Sequence, residues 1–285
     1  MSIKGYIIEK YNNMKNAYTC GRLVEEAEKV GVNLKIIGVH DTIKTNEVLF
    51  NDGKELEQRD FAINRYKWGK LKYEINRLTK KNYNNLNTYN LYINKYEQVA
   101  RLNSDGFNLP RYVLGTGKTN YNFLTSTLKV PFVAKGLESS MGEQVFLISN
   151  YYDFQKLEEK YGIDKEWLFE EFITTSYGRD IRFFSIRGNV IACMQRKSNN
   201  DFRANVALGA SVEPYKVTDN IKTIAKDIYN QTGLDFLGID LLFGESKPYF
   251  CEINVMPGIE GIELATGVNV AAEVIKTIKE DFKNE

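Results

Sequence analysis

Asp240, Glu252 and Asn254 are the residues of this chain whose types and spacing most clearly invite chemistry. They lie in the stretch 238–258, where Gly-Ile-Asp-Leu-Leu-Phe and Pro-Tyr-Phe-Cys-Glu-Ile-Asn-Val-Met flank a polar break at residues 244–247. Two apolar, β-branched runs around a short turn predict a β-hairpin. Pairing Gly244 with Pro248 across a three-residue connection puts Asp240 directly opposite Glu252, and Asn254, two residues on, shares the face of Glu252. Like charges placed opposite each other destabilise a hairpin. A shared cation removes that repulsion, and three hard oxygen donors suit Mg²⁺, which is usually held together with phosphate oxygens. A hairpin with acidic residues on a wet face is the alternative; the apolar neighbours favour the metal. The hairpin reads as a Mg²⁺–nucleotide site.

Other stretches could serve the same chemistry. Residues 130–148 read as strand, loop, strand, with Lys135 at the end of the first strand and a loop of small residues, Gly136-Leu-Glu-Ser-Ser-Met-Gly142. Backbone N–H groups there, with the Ser139 and Ser140 hydroxyls and the Lys135 ammonium, suit phosphate oxygens. Taken alone, the loop reads first as a serine-rich turn beside an exposed lysine. Glu170 and Glu171 sit adjacent within an apolar strand and must face opposite ways. One of them meets either a ribose hydroxyl or adenine amino group, or simply solvent on an edge strand. Arg182, Arg196 and Arg203 lie on successive β segments and suit bidentate anion binding, with surface ion pairs as the alternative. Leu114-Gly-Thr-Gly-Lys-Thr119 invites a P-loop reading, but Tyr112 occupies the position of the first glycine, and residues 119–123 do not read as a helix start. It is a surface turn.

The elements that must position these groups follow from periodicity. A strand at residues 5–8, a helix at 18–30 stopped by Gly31 and a strand at 33–39 give a β-α-β start, typical of a parallel sheet. Short strands at 48–50 and 60–63 and a Lys-rich helix at 67–79 follow; the Asn- and Tyr-dense residues 82–90 read as a loop, with the first domain boundary near its end. A helix at 95–104, the run 110–114, a polar loop, the strand–loop–strand and a helix at 152–161 make a second unit. From Trp167 the chain is mostly β, with strands at 168–173, 180–186 and 190–196, helices at 220–232 and 268–282, and the hairpin.

The 285 residues suffice for two or three compact units. A composition of 43% hydrophobic and 26% charged residues is that of a globular protein, and a net charge of +1 offers no global field for nucleic acid or a membrane surface. Cys20, Cys193 and Cys251 are too far apart for a disulfide framework or a zinc pattern; Cys193 and Cys251 fall in apolar runs and read as small core residues. That His40 is the only histidine argues against a His-based triad or zinc enzyme. No signal-like N-terminus and no apolar run of membrane-spanning length are seen, which predicts a soluble cytoplasmic protein.

In order and spacing these features resemble the ATP-grasp superfamily, and within it the RimK-type glutamate ligases and the LysX-type ligases. The resemblance runs from about Asp60 to the C-terminus and rests on Gly-Arg-Asp-Ile-Arg182, Asn-Asp-Phe-Arg-Ala-Asn205, Gly-Ile-Asp240, Glu-Ile-Asn-Val-Met-Pro-Gly258 and Gly-Ile-Glu-Leu-Ala-Thr-Gly267. It implies an α/β (α+β) ATP-grasp fold: an N-terminal β-α-β domain over 1–92, a central α+β lid subdomain with the phosphate loop over 93–165, and an antiparallel β-rich subdomain with the Mg²⁺ site over 166–285. It implies that Lys95 and Lys135 hold nucleotide phosphates, that Glu171 and Phe172 stand at the adenine edge with Glu170 beside them, and that Asp180 contacts the nucleotide. Arg203 and Asn205 then lie nearest the reacting phosphate, with Arg182, Arg196 and Asn254 at the reaction centre and Asp240, Glu252 and Asn254 on the metal. The phosphate loop is poorer in glycine than is usual in the family, with Gly142 alone at such a position.

The reaction implied is carboxylate–amine ligation through an acyl phosphate, with ATP and Mg²⁺ (Mn²⁺ as a substitute), joining glutamate or another amino acid to a carboxylate, peptide or protein acceptor. It needs no protein nucleophile, and no residue stands out as the base for the amine. The alternatives are a maturase cross-linking a ribosomal peptide, and a nucleotide-binding regulatory protein without turnover. Relatives also suggest a homo-oligomer, with neither nucleic acid nor membrane as partner.

Overall fold

The computed structural model describes residues 3–139 and 142–283. In the N-terminal unit, β1 (Lys4–Glu9), α1 (Tyr18–Lys29) and β2 (Asn33–Gly38) form the expected β-α-β unit; a small antiparallel sheet of β3 (Thr42–Lys44), β4 (Leu49–Asn51) and β5 (Lys54–Glu55) precedes β6 (Arg59–Asn64), α2 (Leu71–Arg77) and β7 (Thr79–Tyr83). The main sheet is parallel, in the order β2-β1-β6-β7. Here the Asn-rich stretch departs from the loop expected for it. It supplies β7, and then α3 (Leu86–Tyr92), whose cap is the Asn85 side chain accepting from the Asn87 N–H. In β7 only Tyr83 is buried, so it carries no apolar alternation; pairing with the edge of β6 makes it a strand.

The central unit follows α4 (Lys95–Arg101). It comprises β8 (Tyr112–Thr116), α5 (Tyr121–Leu128), β9 (Phe132–Gly136), β10 (Val145–Ile148), α6 (Tyr151–Tyr161) and β11 (Glu166–Glu171), the strands running antiparallel in the order β10-β9-β11-β8. Two expectations are corrected here. A helix does follow residue 119: the Asn120 side chain caps it by accepting from the Phe123 N–H, and Leu124 and Leu128 anchor it in a core with Phe132, Phe154 and Trp167. The boundary drawn at 165/166 cuts off β11, which pairs with both β8 and β9 and so belongs to the central sheet.

The C-terminal unit is a five-stranded antiparallel sheet in the order β14-β13-β12-β15-β16, built from β12 (Arg179–Ile186), β13 (Asn189–Lys197), β14 (Ser211–Pro214), β15 (Phe236–Leu242) and β16 (Tyr249–Asn254). It carries α7 (Asp219–Thr232), α8 (Glu260–Thr266) and α9 (Val270–Asp281). The N- and C-terminal units share a core in which Ile7, Leu23 and Phe61 meet Phe184, Met194 and Ile275, while the central unit has its own. Among the described residues no helix is long and apolar enough to cross a membrane.

Candidate active site

The hairpin is β15–β16, and Asp240 does face Glu252 across it. The route differs from the simple turn expected. Strand pairing stops at Leu242 opposite Tyr249, one residue out of the Gly244–Pro248 register, and a bulge at Cys251 restores the match. Asn254 shares the face, its amide 3.4 Å from Glu252 Oε1.

Across the sheet this face continues as a row of charges. Register sets Arg196 on β13 opposite Asp180 on β12, and Arg182, two residues along β12, opposite Asp240 on β15. Arg182 grips both Asp240 oxygens, from Nε at 2.6 Å and Nη2 at 2.6 Å, while Arg196 grips Asp180 and adds a bond to Asp240 Oδ2 at 2.9 Å. Lys95 Nζ stands 3.0 Å from Glu252 Oε2. The repulsion that argued for a cation is therefore already compensated by protein charges. Burial works against both carboxylates, yet Arg182 and Arg196 hold Asp240, and Lys95 holds Glu252, below the ordinary carboxylate range.

The central sheet forms the other wall. On β9 and β11, Lys135 and Glu170 are diagonal neighbours and pair at 2.5 Å, both buried. Burial opposes the Lys135 ammonium, but Cys251, Glu170 and Glu252 together hold its pKa above the lysine value. Cys251 is thus no ordinary core residue: it lines the cleft with its sulfur 3.9 Å from Lys135 Nζ, and burial pushes its thiol up to about 12. Glu171 faces away from Glu170 and pairs with Arg111. Phe172 packs edge-on against Tyr177 and Phe202.

Three cations reach the loop between β9 and β10 through its carbonyls. Lys95 Nζ donates to Ser139 O at 2.7 Å, Arg203 Nη1 donates to Gly142 O at 2.7 Å, and Lys67 Nζ donates to Glu138 O. Gly142 has φ +76, a left-handed backbone suited to glycine, and a Cβ there would lie 3.4 Å from Asn205 Oδ1.

One cleft therefore collects Lys95, Lys135, Ser139, Gly142, Glu170, Glu171, Phe172, Asp180, Arg196, Arg203, Asn205, Asp240 and Glu252. Arg182 and Asn254 do not line it but contact residues that do. Ser140 lies outside the described residues. The Gly115-Thr-Gly-Lys118 turn is absent from the cleft; Lys118 pairs on the surface with Asp164. Two carboxylates and an amide on one face fit the oxygen preference of Mg²⁺. A family model for the RimK-like ATP-grasp domain matches residues 93–278, the span that builds both walls.

This chain belongs to the RimK-like ATP-grasp family. A probable alpha-L-glutamate ligase of Psychromonas ingrahamii is 31% identical over 288 residues, covering 95% of this chain and 94% of that protein. Among solved structures, the ATP-grasp ligase PsnB complexed with minimal precursor has a TM-score of 0.73 at 15% identity, covering 98% of this chain and 99% of that one. D-alanine–D-alanine ligase from Bacillus anthracis complexed with ATP has a TM-score of 0.69 at 16% identity, covering 98% and 99%. The fold is the ATP-grasp fold anticipated from the motifs. The class of this RimK-like protein is that of the ADP-forming carbon–nitrogen ligases. Sequence reasoning missed Arg179 and the half-buried Cys251, which line the ATP-grasp cleft, and Lys67, which reaches its loop. Lys67 carried no signal beyond a Lys-rich stretch, because its reach to the loop depends on how two units meet.

Proposed function

We propose that this chain is an ATP-dependent ligase joining L-glutamate, or another amino acid, to a carboxylate or peptide acceptor through an acyl phosphate. One observation carries the reading: Asp240, Glu252 and Asn254 share the face of a hairpin whose carboxylates line the same cleft as Lys95, Lys135 and Arg203. The glutamate assignment is supported by the relative named a probable alpha-L-glutamate ligase.

An acceptor carboxylate oxygen attacks the γ-phosphorus, the bond to ADP breaks, and an acyl phosphate forms. The amine nitrogen then attacks the acyl carbon; the tetrahedral adduct expels phosphate and the nitrogen gives up its proton. Lys95 and Lys135 exchange their present partners, Ser139 O and Glu170, for phosphate oxygens and spread the charge of the transferring group. Arg203, fixed by Asp201 and touching the loop at Gly142, is the guanidinium placed for the acyl phosphate. Arg182 and Arg196 face Asp240 and Asp180 and hold those carboxylates in register. Asp240, Glu252 and Asn254 would hold Mg²⁺, with Mn²⁺ as a substitute, which neutralises phosphoryl charge when bound.

The test is a phosphate-release screen across amino-acid pairs and short acidic peptides. ADP and phosphate formed only with both an amino acid and a carboxylate partner are expected. ATP binding without substrate-dependent phosphate release would overturn the ligase reading in favour of a regulatory nucleotide binder. Turnover confined to a peptide would favour a maturase; the similar ATP-grasp ligase PsnB is complexed with a minimal precursor.

A further inference from the structure

We propose that Glu9 and Arg65 form the recognition site for the amino-acid substrate, taking its ammonium and its α-carboxylate respectively; this rests on the ligase reading above. The argument begins with topology. The chain runs from β1 to β2 on one side and returns to β6 on the other side of β1, so the connections diverge between β1 and β6. In open parallel sheets ligands bind at the carboxyl ends of the strands at such a switch point. Glu9 is the last residue of β1, and Arg65 directly follows β6.

Their side chains meet there and are mostly buried, at 7% and 15% exposure. Arg65 Nε donates to Glu9 Oε1 at 3.0 Å, and Nη1 donates to Pro257 O at 3.1 Å. Glu9 also accepts from Cys20 Sγ and the Lys10 N–H, each at 3.3 Å. The hydroxyl of fully buried Tyr89 has no hydrogen-bond partner among the described residues. A guanidinium and a carboxylate thus meet at the switch point, opposite charges that complement the carboxylate and ammonium of a zwitterion.

The pair also faces the reaction. Pro257 closes the segment just beyond Asn254, and Lys67, two residues past Arg65, reaches Glu138 O on the loop of the nucleotide cleft. Residues 65–67 therefore touch both sides of the place where an acyl phosphate would form. A strut between units would use the Arg65–Pro257 bond too, but it would be indifferent to the charge of a substrate.

That difference defines the test. Phosphate release is measured with L-glutamate and with its α-amide, which lacks the α-carboxylate charge, alongside calorimetric titration of L-glutamate into the protein with ADP and Mg²⁺. Wild-type protein should disfavour the α-amide by about tenfold or more, the loss expected for one charge-assisted contact. Arg65→Gln should raise the KM for L-glutamate by a similar factor, leave the KM for ATP unchanged and treat the two amino compounds alike; Arg65→Lys should recover part of the preference. Glu9→Gln should weaken L-glutamate binding in the calorimeter. Equal use of L-glutamate and its α-amide by the wild type overturns the proposal without any variant, as does L-glutamate binding that is absent or indifferent to Arg65. Calorimetry decides the site even if phosphate release never responds to L-glutamate, an outcome that counts against the ligase reading instead.

Discussion

Asp240 has two roles that a single substitution separates poorly. It is a metal-ligand candidate, and it is the anion that Arg182 and Arg196 share while almost fully buried. Asp240→Ala removes both, leaving two guanidinium groups facing an empty position, and should destabilise the fold by about 3–5 kcal/mol. Glu252→Gln keeps the shape and leaves only Lys95, which retains Ser139 O as a partner, so its melting temperature should stay near wild type. Both variants should lose Mg²⁺-dependent phosphate release. Denaturation curves beside the assay check this; near-normal turnover in either would refute the metal assignment. At this scale the sequence was informative: the alternation of side chains along a strand put Asp240, Glu252 and Asn254 on one face before any contact was known. The arginines were legible as anion binders, but their partners were not, because the register between β12, β13 and β15 is set by pairing over long sequence separations.

The loop at residues 198–211 carries Arg203 and Asn205, and Gly178 holds its base. The Gly178 N–H donates to Phe202 O, its carbonyl accepts from the Ser198 N–H, its φ is +65, and a Cβ there would sit 2.6 Å from Ser198 O. Gly178→Ala should strain the backbone by about 1–2 kcal/mol and push the loop away from Gly142. Turnover should then fall on the order of 10- to 100-fold while the protein remains folded. Steady-state kinetics with circular dichroism measure both, and unchanged kcat would show that the loop tolerates the shift. Element boundaries show the same division. α1, β2 and α9 follow from 3.6- or two-residue periodicity, whereas β7, α3 and α5 are rich in Asn, Thr and Tyr and arise from edge pairing, side-chain caps and a few buried anchors.

Across the whole molecule, Asp281 on α9 ties the N- and C-terminal units together. It accepts from Lys81 Nζ at 2.8 Å and from Tyr83, both on β7, and from Arg187 Nη1 at 2.9 Å at the β12–β13 turn. The Arg187 hydrogen bonds, opposed by partial burial, hold its pKa well below the carboxylate range. A carboxylate depressed in the folded state stabilises fully above its unfolded pKa and loses that contribution as pH falls through the folded value. The Asp281 contribution should therefore fade below about pH 4. Asp281→Asn should cost about 2 kcal/mol at neutral pH and flatten the acid limb of stability, read from denaturant midpoints at successive pH values. A variant with unaltered acid sensitivity would place the dependence elsewhere.

Sequence alone determined the family and which residue types could meet on one face, because residue type and short spacing decide which groups share a strand face and which loop follows a lysine. Tertiary structure alone decided who neutralises whom. The two arginines on Asp240, the bulge at Cys251 that returns Glu252 to its place, and the reach of Lys67 and Arg65 from the N-terminal unit all depend on contacts between segments far apart in the chain. Local spacing carries no record of such contacts; packing and strand register create them.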